Sequence, residues 1–412
     1  MPSVFGWVDF IEKDREKMIK VIRLFREQDT RDELGLGSVR DAFSNLLFPG
    51  TSTIQTRAKY MLLVPWLYRT LERQKTSSAD IAKKARNAEI FLINSLMESG
   101  DTDGVIGKEA RQSLQRLPSS VYWAGLGTWG IRQYKGSQNE YHRYLDYYYH
   151  YKKNLVVGDD KEPISGRVGE NWDPDLPEPS GGFPQRVGFK LEHNEAEYLQ
   201  ERIINSCKDS LLAFLVQERM SAACDFIWSH PMLGAFPQKL ALQVNHARNF
   251  SEVMHGAALL YNLMLAEKCD WEDGQELVDD YTEQFNEWKE KIGMRIGELK
   301  EWHDDMRKFW DIVQQWGDVT HRTKAFIETW INIVLEGDAL NKLTGYDTAK
   351  KLIFEREVAL KRGRARLADR RSLERWTGAA GTYQLRFRWT VVSNMLNDIV
   401  SGLENKKEGY DA

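Results

Sequence analysis

Residues 274–316 read GQELVDDYTEQFNEWKEKIGMRIGELKEWHDDMRKFWDIVQQW. Tyr281, Phe285 and Trp288 fall at i, i+4 and i+7, which sets three rings on one face of a helix. The stretch from Asp270 to Asp305 carries 13 acidic and 4 basic residues, so the pattern is a buried aromatic stripe with a solvated acidic back. The same period continues in both directions. It predicts helices over 194–230, 237–267 and 322–335, and on the N-terminal side over 9–28, 54–73 and 79–98, with Pro65 kinking the 54–73 helix or ending its first half. No β-rich block interrupts them, so the fold class is mainly α.

A chain of 412 residues exceeds the ~250–300 at which a single core stops growing, and two domains are expected. Gly158 to Gly188 holds 5 of the 11 prolines and six glycines and has no periodicity. The reading is therefore a two-domain helical protein with a long Pro/Gly-rich loop between the halves: an N-terminal domain over 1–157 that carries the site, a linker or functional loop over 158–188, and a C-terminal domain over 189–412. Cys207, Cys224 and Cys269 are far apart and form no CxxC pair, which argues against a disulfide framework or a zinc site. The N-terminus lacks the apolar core of a signal peptide, and no run approaches the ~18 apolar residues of a membrane span. A soluble, cytoplasmic protein with no membrane partner is expected.

The stretch densest in polar groups is FREQDTRDELGLGSVRDAFSNLLFPGTSTIQTRAKY, residues 25–60. A charged loop with Arg31, Asp32 and Glu33 leads into a short helix from Ser38, bearing Arg40 and Asp41, that stops at Phe48-Pro49-Gly50. A second helix is predicted to open on Thr51, Ser52 and Thr53, with Gln55 and Arg57 in its first turn. Open N–H groups, hydroxyls and an arginine at a helix start suit an anion. The plain alternative is capping, by Ser38 with Asp41 and by Thr53. From Leu117 to Tyr134, Gly125, Gly127 and Gly130 argue against a smooth helix, and Tyr122, Trp123 and Trp129 either stack a base or bury themselves under the loop. A tyrosine-rich helix follows, carrying Arg143.

The last informative segment, Lys361 to Arg388, has 9 basic and 2 acidic residues. Arg364, Arg366, Arg386 and Arg388 interleave there with Trp376, Tyr383 and Phe387, a mixture suited to a nucleic-acid groove; the alternative pairs these arginines with the acidic helix. Arg31, Arg40, Arg132 and Arg143 join them as expected DNA contacts. HExxH, Walker-type, GxSxG and dinucleotide motifs are missing, so any chemistry is expected to use carboxylates with no metal and no cofactor. Hydrolysis of an N-glycosidic bond is one such reaction, with Asp32 or Asp41 holding the water.

The motifs FGWVDF (5–10), REQDTRDELGLGSVRDAFSNLLFPGTSTIQTRAKYMLLVPWLYR (26–69), GVIGKEA (104–110), RLPSSVYWAGLGTWGIRQY (116–134) and LERWTGAAGTYQLRFRW (373–389) resemble a family of bacterial proteins, a domain of unknown function that occurs in phage-defence loci. Through it the chain resembles phage-defence DNA glycosylases that excise glucosylated hydroxymethylcytosine. The resemblance implies base removal from modified phage DNA, leaving abasic sites for host abasic-site nucleases. It carries over no catalytic residue. Asp32 and Asp41 as catalysts, Thr51, Ser52, Thr53, Gln55 and Arg57 as the grip on sugar or phosphate, and Tyr122, Trp123 and Trp129 as base stackers rest on local chemistry. A helical nucleic-acid-binding adaptor of a defence system is the runner-up, and a metal nuclease the third reading.

Overall fold

The computed structural model describes residues 32–153, 169–271, 274–336 and 343–405. It is mainly α, with α1 (Gly37–Leu47), α2 (Tyr60–Arg73), α3 (Ile81–Glu98), α4 (Pro118–Thr128), α5 (Gln138–Lys153), α6 (His193–Ser206), α7 (Leu211–Gln217), α8 (Gln238–Ala266), α9 (Gly274–Met294), α10 (Ile296–Asp304), α11 (Met306–Trp316), α12 (His321–Leu335), α13 (Leu343–Lys361), α14 (Arg370–Leu373) and α15 (Trp389–Glu404). Among the described residues extended pairing is limited to one bridge between Arg132 and Trp172. The helix expected over 9–28, Arg31 and residues 158–168 of the Pro/Gly-rich loop lie outside the described residues.

The chain groups into two compact units, one of residues up to Phe43 with Asn245–Leu385, the other of Ser44–Val244 with Arg386 onward. The Pro/Gly-rich stretch does not divide them. Its residues 169–188 sit inside the second unit because they carry buried anchors: Trp172 and Leu176 are core residues, and the Trp172 indole donates to the Glu72 carboxylate at 3.1 Å.

In the first unit the quoted stretch behaves as its stripe requires. Tyr281, Phe285 and Trp288 are buried, and the Trp288 ring lies so close to Gly256 of α8 that a Cβ there would stand 2.1 Å from it. A single helix over 274–316 is not formed. It breaks at Arg295 and again at Asp305, both near φ −106 to −109°; at the first break the Arg295 guanidinium meets Asn249 and Glu298, each at 2.9 Å, and Glu252.

In the second unit α2 is central, with Tyr60 to Tyr68 buried on every side, and Pro65 stands inside it without ending it. The helix predicted over 54–73 begins only at Tyr60; residues 51–59 are turns. The run predicted over 194–230 is divided into α6, α7 and a 3-10 turn at Ile227–Ser229, with Ser210 capping α7 through its hydroxyl to Ala213 N at 3.1 Å. Residues 118–128 are helical despite their glycines. Gly125 faces the Pro49-Gly50 turn, where a Cβ would meet the Gly50 carbonyl at 2.3 Å, so the missing side chain lets α4 pack against that turn.

Candidate functional site

The loop before α2 is held from both ends by buried groups. The Tyr122 phenol accepts from the N–H groups of Thr56 (2.8 Å) and Arg57 (3.1 Å) and donates to the Arg57 carbonyl (2.9 Å). Upstream, Thr51 donates to the Phe48 carbonyl at 2.6 Å and Gln55 closes on Ser52 N and the Gly50 carbonyl. Thr51 and Gln55 are buried, Thr53 is exposed, and the Ser52 hydroxyl is buried without a partner among the described residues.

This geometry aims Arg57 at two carboxylates. Its Nε lies 3.0 Å from both oxygens of Asp398 on α15, and its Nη1 is 3.2 Å from Asp101. Asp398 also accepts from Ala58 N at 2.9 Å, just ahead of α2. The chain therefore supplies an anion of its own at Ala58 N, near this helix start, which falls six residues later than predicted, at Tyr60 against residue 54. Desolvation raises the Asp398 carboxyl above its ordinary value, against the opposing bonds from Arg57 and Ala58. Burial works against the Arg57 charge, but Asp398 and Asp101 more than offset it and hold the guanidinium above its usual value. Asp101 is half exposed and Asp398 nearly buried. Two acids of unequal exposure thus share one guanidinium, the more exposed of them open to solvent.

The other expected site residues fall elsewhere. Asp32 accepts from Leu36 N at 2.6 Å and Gly37 N at 2.5 Å, capping the start of α1. The capping alternative for this helix start is thus met by Asp32, not by Ser38 with Asp41. Asp41 is half exposed and pairs with Arg40 at 3.0 Å. Both acids lie in the first unit; Thr51 to Arg57 lie in the second.

Tyr122, Trp123 and Trp129 are core residues. The Trp129 indole donates to Pro49 O at 3.0 Å and that of Trp123 to Gly136 O at 3.1 Å. Arg132 lies over the Trp123 ring and also donates to Gly136 O. Arg366 lies 3.0 Å from buried Glu33, which also pairs with Lys361. Arg388 donates to Thr51 O (2.6 Å) and Asn45 (2.9 Å), and Arg386 sits over Phe226. Arg143 and Arg364 are exposed.

Sequence reasoning missed Asp398 and Asp101. A signal existed for the first, a lone carboxylate in the apolar run WTVVSNMLNDIVSGL (389–403). Buried Glu89 was missed too. It accepts from Ser119 N and Oγ, both at 2.7 Å, and burial pushes its carboxyl up to about 7. Among the described residues no group of three or more His, Cys, Asp or Glu is placed to hold a metal ion, and no helix is long and apolar enough to cross a membrane.

These features define a helical protein with a carboxylate–guanidinium cluster in its second unit. Residues 2–402 match DUF6361, a family of unknown function, and the chain belongs to that family. No curated protein and no solved structure matches it.

Proposed function

We propose that the chain is an anti-phage DNA glycosylase of the cytoplasm, hydrolysing the N-glycosidic bond of a glucosylated hydroxymethylcytosine to leave an abasic site, with its base chemistry on Asp101, which Arg57 holds in place. The observation that carries this reading is the shared guanidinium. Asp101, half exposed, is the carboxylate a sugar can reach; it orients the water and faces the oxocarbenium-like transition state. The C1′–N bond breaks with its electron pair going to the base, the water oxygen bonds C1′, and Asp101 accepts the water's proton. Asp398 is a positioning residue that fixes Arg57. The resemblance of the sequence motifs to phage-defence DNA glycosylases is what suggests a DNA substrate.

The runner-up is a non-catalytic nucleic-acid adaptor. It is favoured by the burial of Tyr122, Trp123 and Trp129, whose rings are occupied by the core.

Duplexes containing cytosine, hydroxymethylcytosine or its glucosylated form, incubated with the chain in chelator, treated with alkali and run on a denaturing gel, test the choice. Cleavage at the decorated base alone, lost in Asp101→Asn with the fold retained, is the expected result. Binding without cleavage on any duplex would leave the adaptor.

A further inference from the structure

The basic segment that follows α13 contains six arginines and two acids between Arg362 and Arg375. Arg366 is spent on Glu33, but Arg362, Arg364, Arg370, Arg371 and Arg375 are exposed. Beside this segment lies a cavity of about 490 Å³ between residues 268–271 on one side and 366–370, 373 and 374 on the other, within the range of small-ligand sites.

One wall of the cavity is Trp271, 39% exposed although it is an indole. It stacks on Trp376 with centroids 5.4 Å apart and planes 18° from parallel. Trp376 is buried and rests on Tyr281 on its way to the core, and the Tyr281 hydroxyl is tied to Gly378 O at 2.7 Å. The exposed ring therefore has a firm base. Leu367 and Leu373 add apolar lining.

The acids around the cavity are already engaged. Arg370 lies 2.9 Å from Asp270 and 3.9 Å from Glu374, and Asp369 accepts from Ser372 N at 2.8 Å. Arg371 and Arg375 are near enough to act on the Asp369 charge. Lys268, Arg366 and Arg370 balance Asp270, Asp369 and Glu374 in the lining itself, and exposed Arg371 and Arg375 next to it tip the balance to positive. Cations beside an exposed, supported indole are the combination that stacks bases and tracks phosphates without reading sequence.

We propose that this cavity is a stacking subsite for an unpaired base of single-stranded DNA, with Trp271 taking the base and Arg371 and Arg375 the flanking phosphates. The assignment rests on the nucleic-acid reading above and is separable from the glycosylase chemistry.

Fluorescence anisotropy of the full chain with labelled oligothymidylate of twenty nucleotides, and with a strand of equal length built of abasic units, tests it. Trp271→Ala should weaken binding of the base-bearing strand about tenfold and leave the abasic strand unchanged, while Trp271→Phe stays near wild type. Should Trp271→Ala melt early, Trp271→Leu, apolar without a π-face, takes its place. Arg371→Ala with Arg375→Ala should flatten the salt dependence on both strands by about one charge or more. No binding by the wild type, equal affinities for wild type and Trp271→Ala, or the same loss on the abasic strand would each overturn the subsite. Trp271-dependent binding by a chain that excises no base would retain the subsite and remove the glycosylase; excision without that dependence would do the reverse.

Discussion

Arg57 and Asp398 stand 341 residues apart in the chain, yet both carboxylate oxygens lie 3.0 Å from the arginine Nε. The loop ahead of the central helix and the last described helix are thereby joined through one charge pair, with desolvation opposing the carboxylate and the guanidinium offsetting only part of it.

Arg57→Ala removes the cation and leaves Asp398 nearly buried beside a single N–H donor. A loss of about 3–5 kcal/mol is expected, as for other buried pairs broken on one side. Arg57→Leu combined with Asp398→Leu should recover a large part of it, because neither charge is then stranded. Urea denaturation of the two variants measures both; a single-variant loss under ~1 kcal/mol would mean that water solvates the carboxylate after all.

Asp32 caps a helix, so Asp32→Ala should cost about 1 kcal/mol and leave base excision unchanged. Asp41→Asn, at a half-exposed position beside Arg40, should stay within about 0.5 kcal/mol. A collapse of activity in either variant without a matching stability loss would return catalysis to the first unit.

Gly125→Ala and Gly127→Ala separate backbone from side-chain crowding in α4. At Gly125 the added carbon meets the Gly50 carbonyl at 2.3 Å; at Gly127 it meets the end of the Arg132 side chain at 2.4 Å. The first is expected to cost about 2–3 kcal/mol, since two backbones must separate, and the second less, since a guanidinium can swing aside. Melting temperatures rank them, and a reversed order would show that Arg132 is the stiffer neighbour.

Glu89, raised by burial to about 7 against an ordinary 4.5, makes stability depend on pH in a stated direction. The folded chain keeps this proton while the unfolded chain loses it, so the contribution is full below about pH 4.5 and is lost as pH rises through 7. The span is on the order of 3 kcal/mol. Glu89→Gln should flatten that slope and be more stable than wild type at pH 8. Parallel profiles for the two proteins between pH 5 and 8 would remove Glu89 from the account.

The helices were legible wherever one apolar stripe decides the packing, as with Tyr281, Phe285 and Trp288. Their ends were less so: the helix breaks at Arg295, whose guanidinium meets Asn249 and Glu252 far away in sequence, and the turns at 51–59 are held by the distant Tyr122 phenol as well as by the local bonds of Thr51 and Gln55. Glycine misled at α4: Gly125 marks a close approach between backbones, and that need appears only once Gly50 is placed beside it. Of the candidate site, Arg57 was readable from its hydroxyl-rich surroundings, whereas Asp398 was not, since an acid in an apolar helix announces a buried partner without naming it. The expected base stackers lie in the core because each indole found a backbone carbonyl, a preference that ring composition alone does not reveal.

The second unit is made of residues 44–244 and a piece that begins only at Arg386, with 141 residues of the first unit (245 to 385) threaded between them in sequence. On a ribosome, α2 and its loop would emerge long before the helix carrying Asp398. Until that helix arrives, Arg57 has no Asp398 to bind and the apolar faces of α6 and α7 lack the α15 surface that finally covers them. The Arg57–Asp398 pair thus forms only once residue 398 has been made, and a nascent chain stalled before residue 386 would expose hydrophobic surface that α15 later covers.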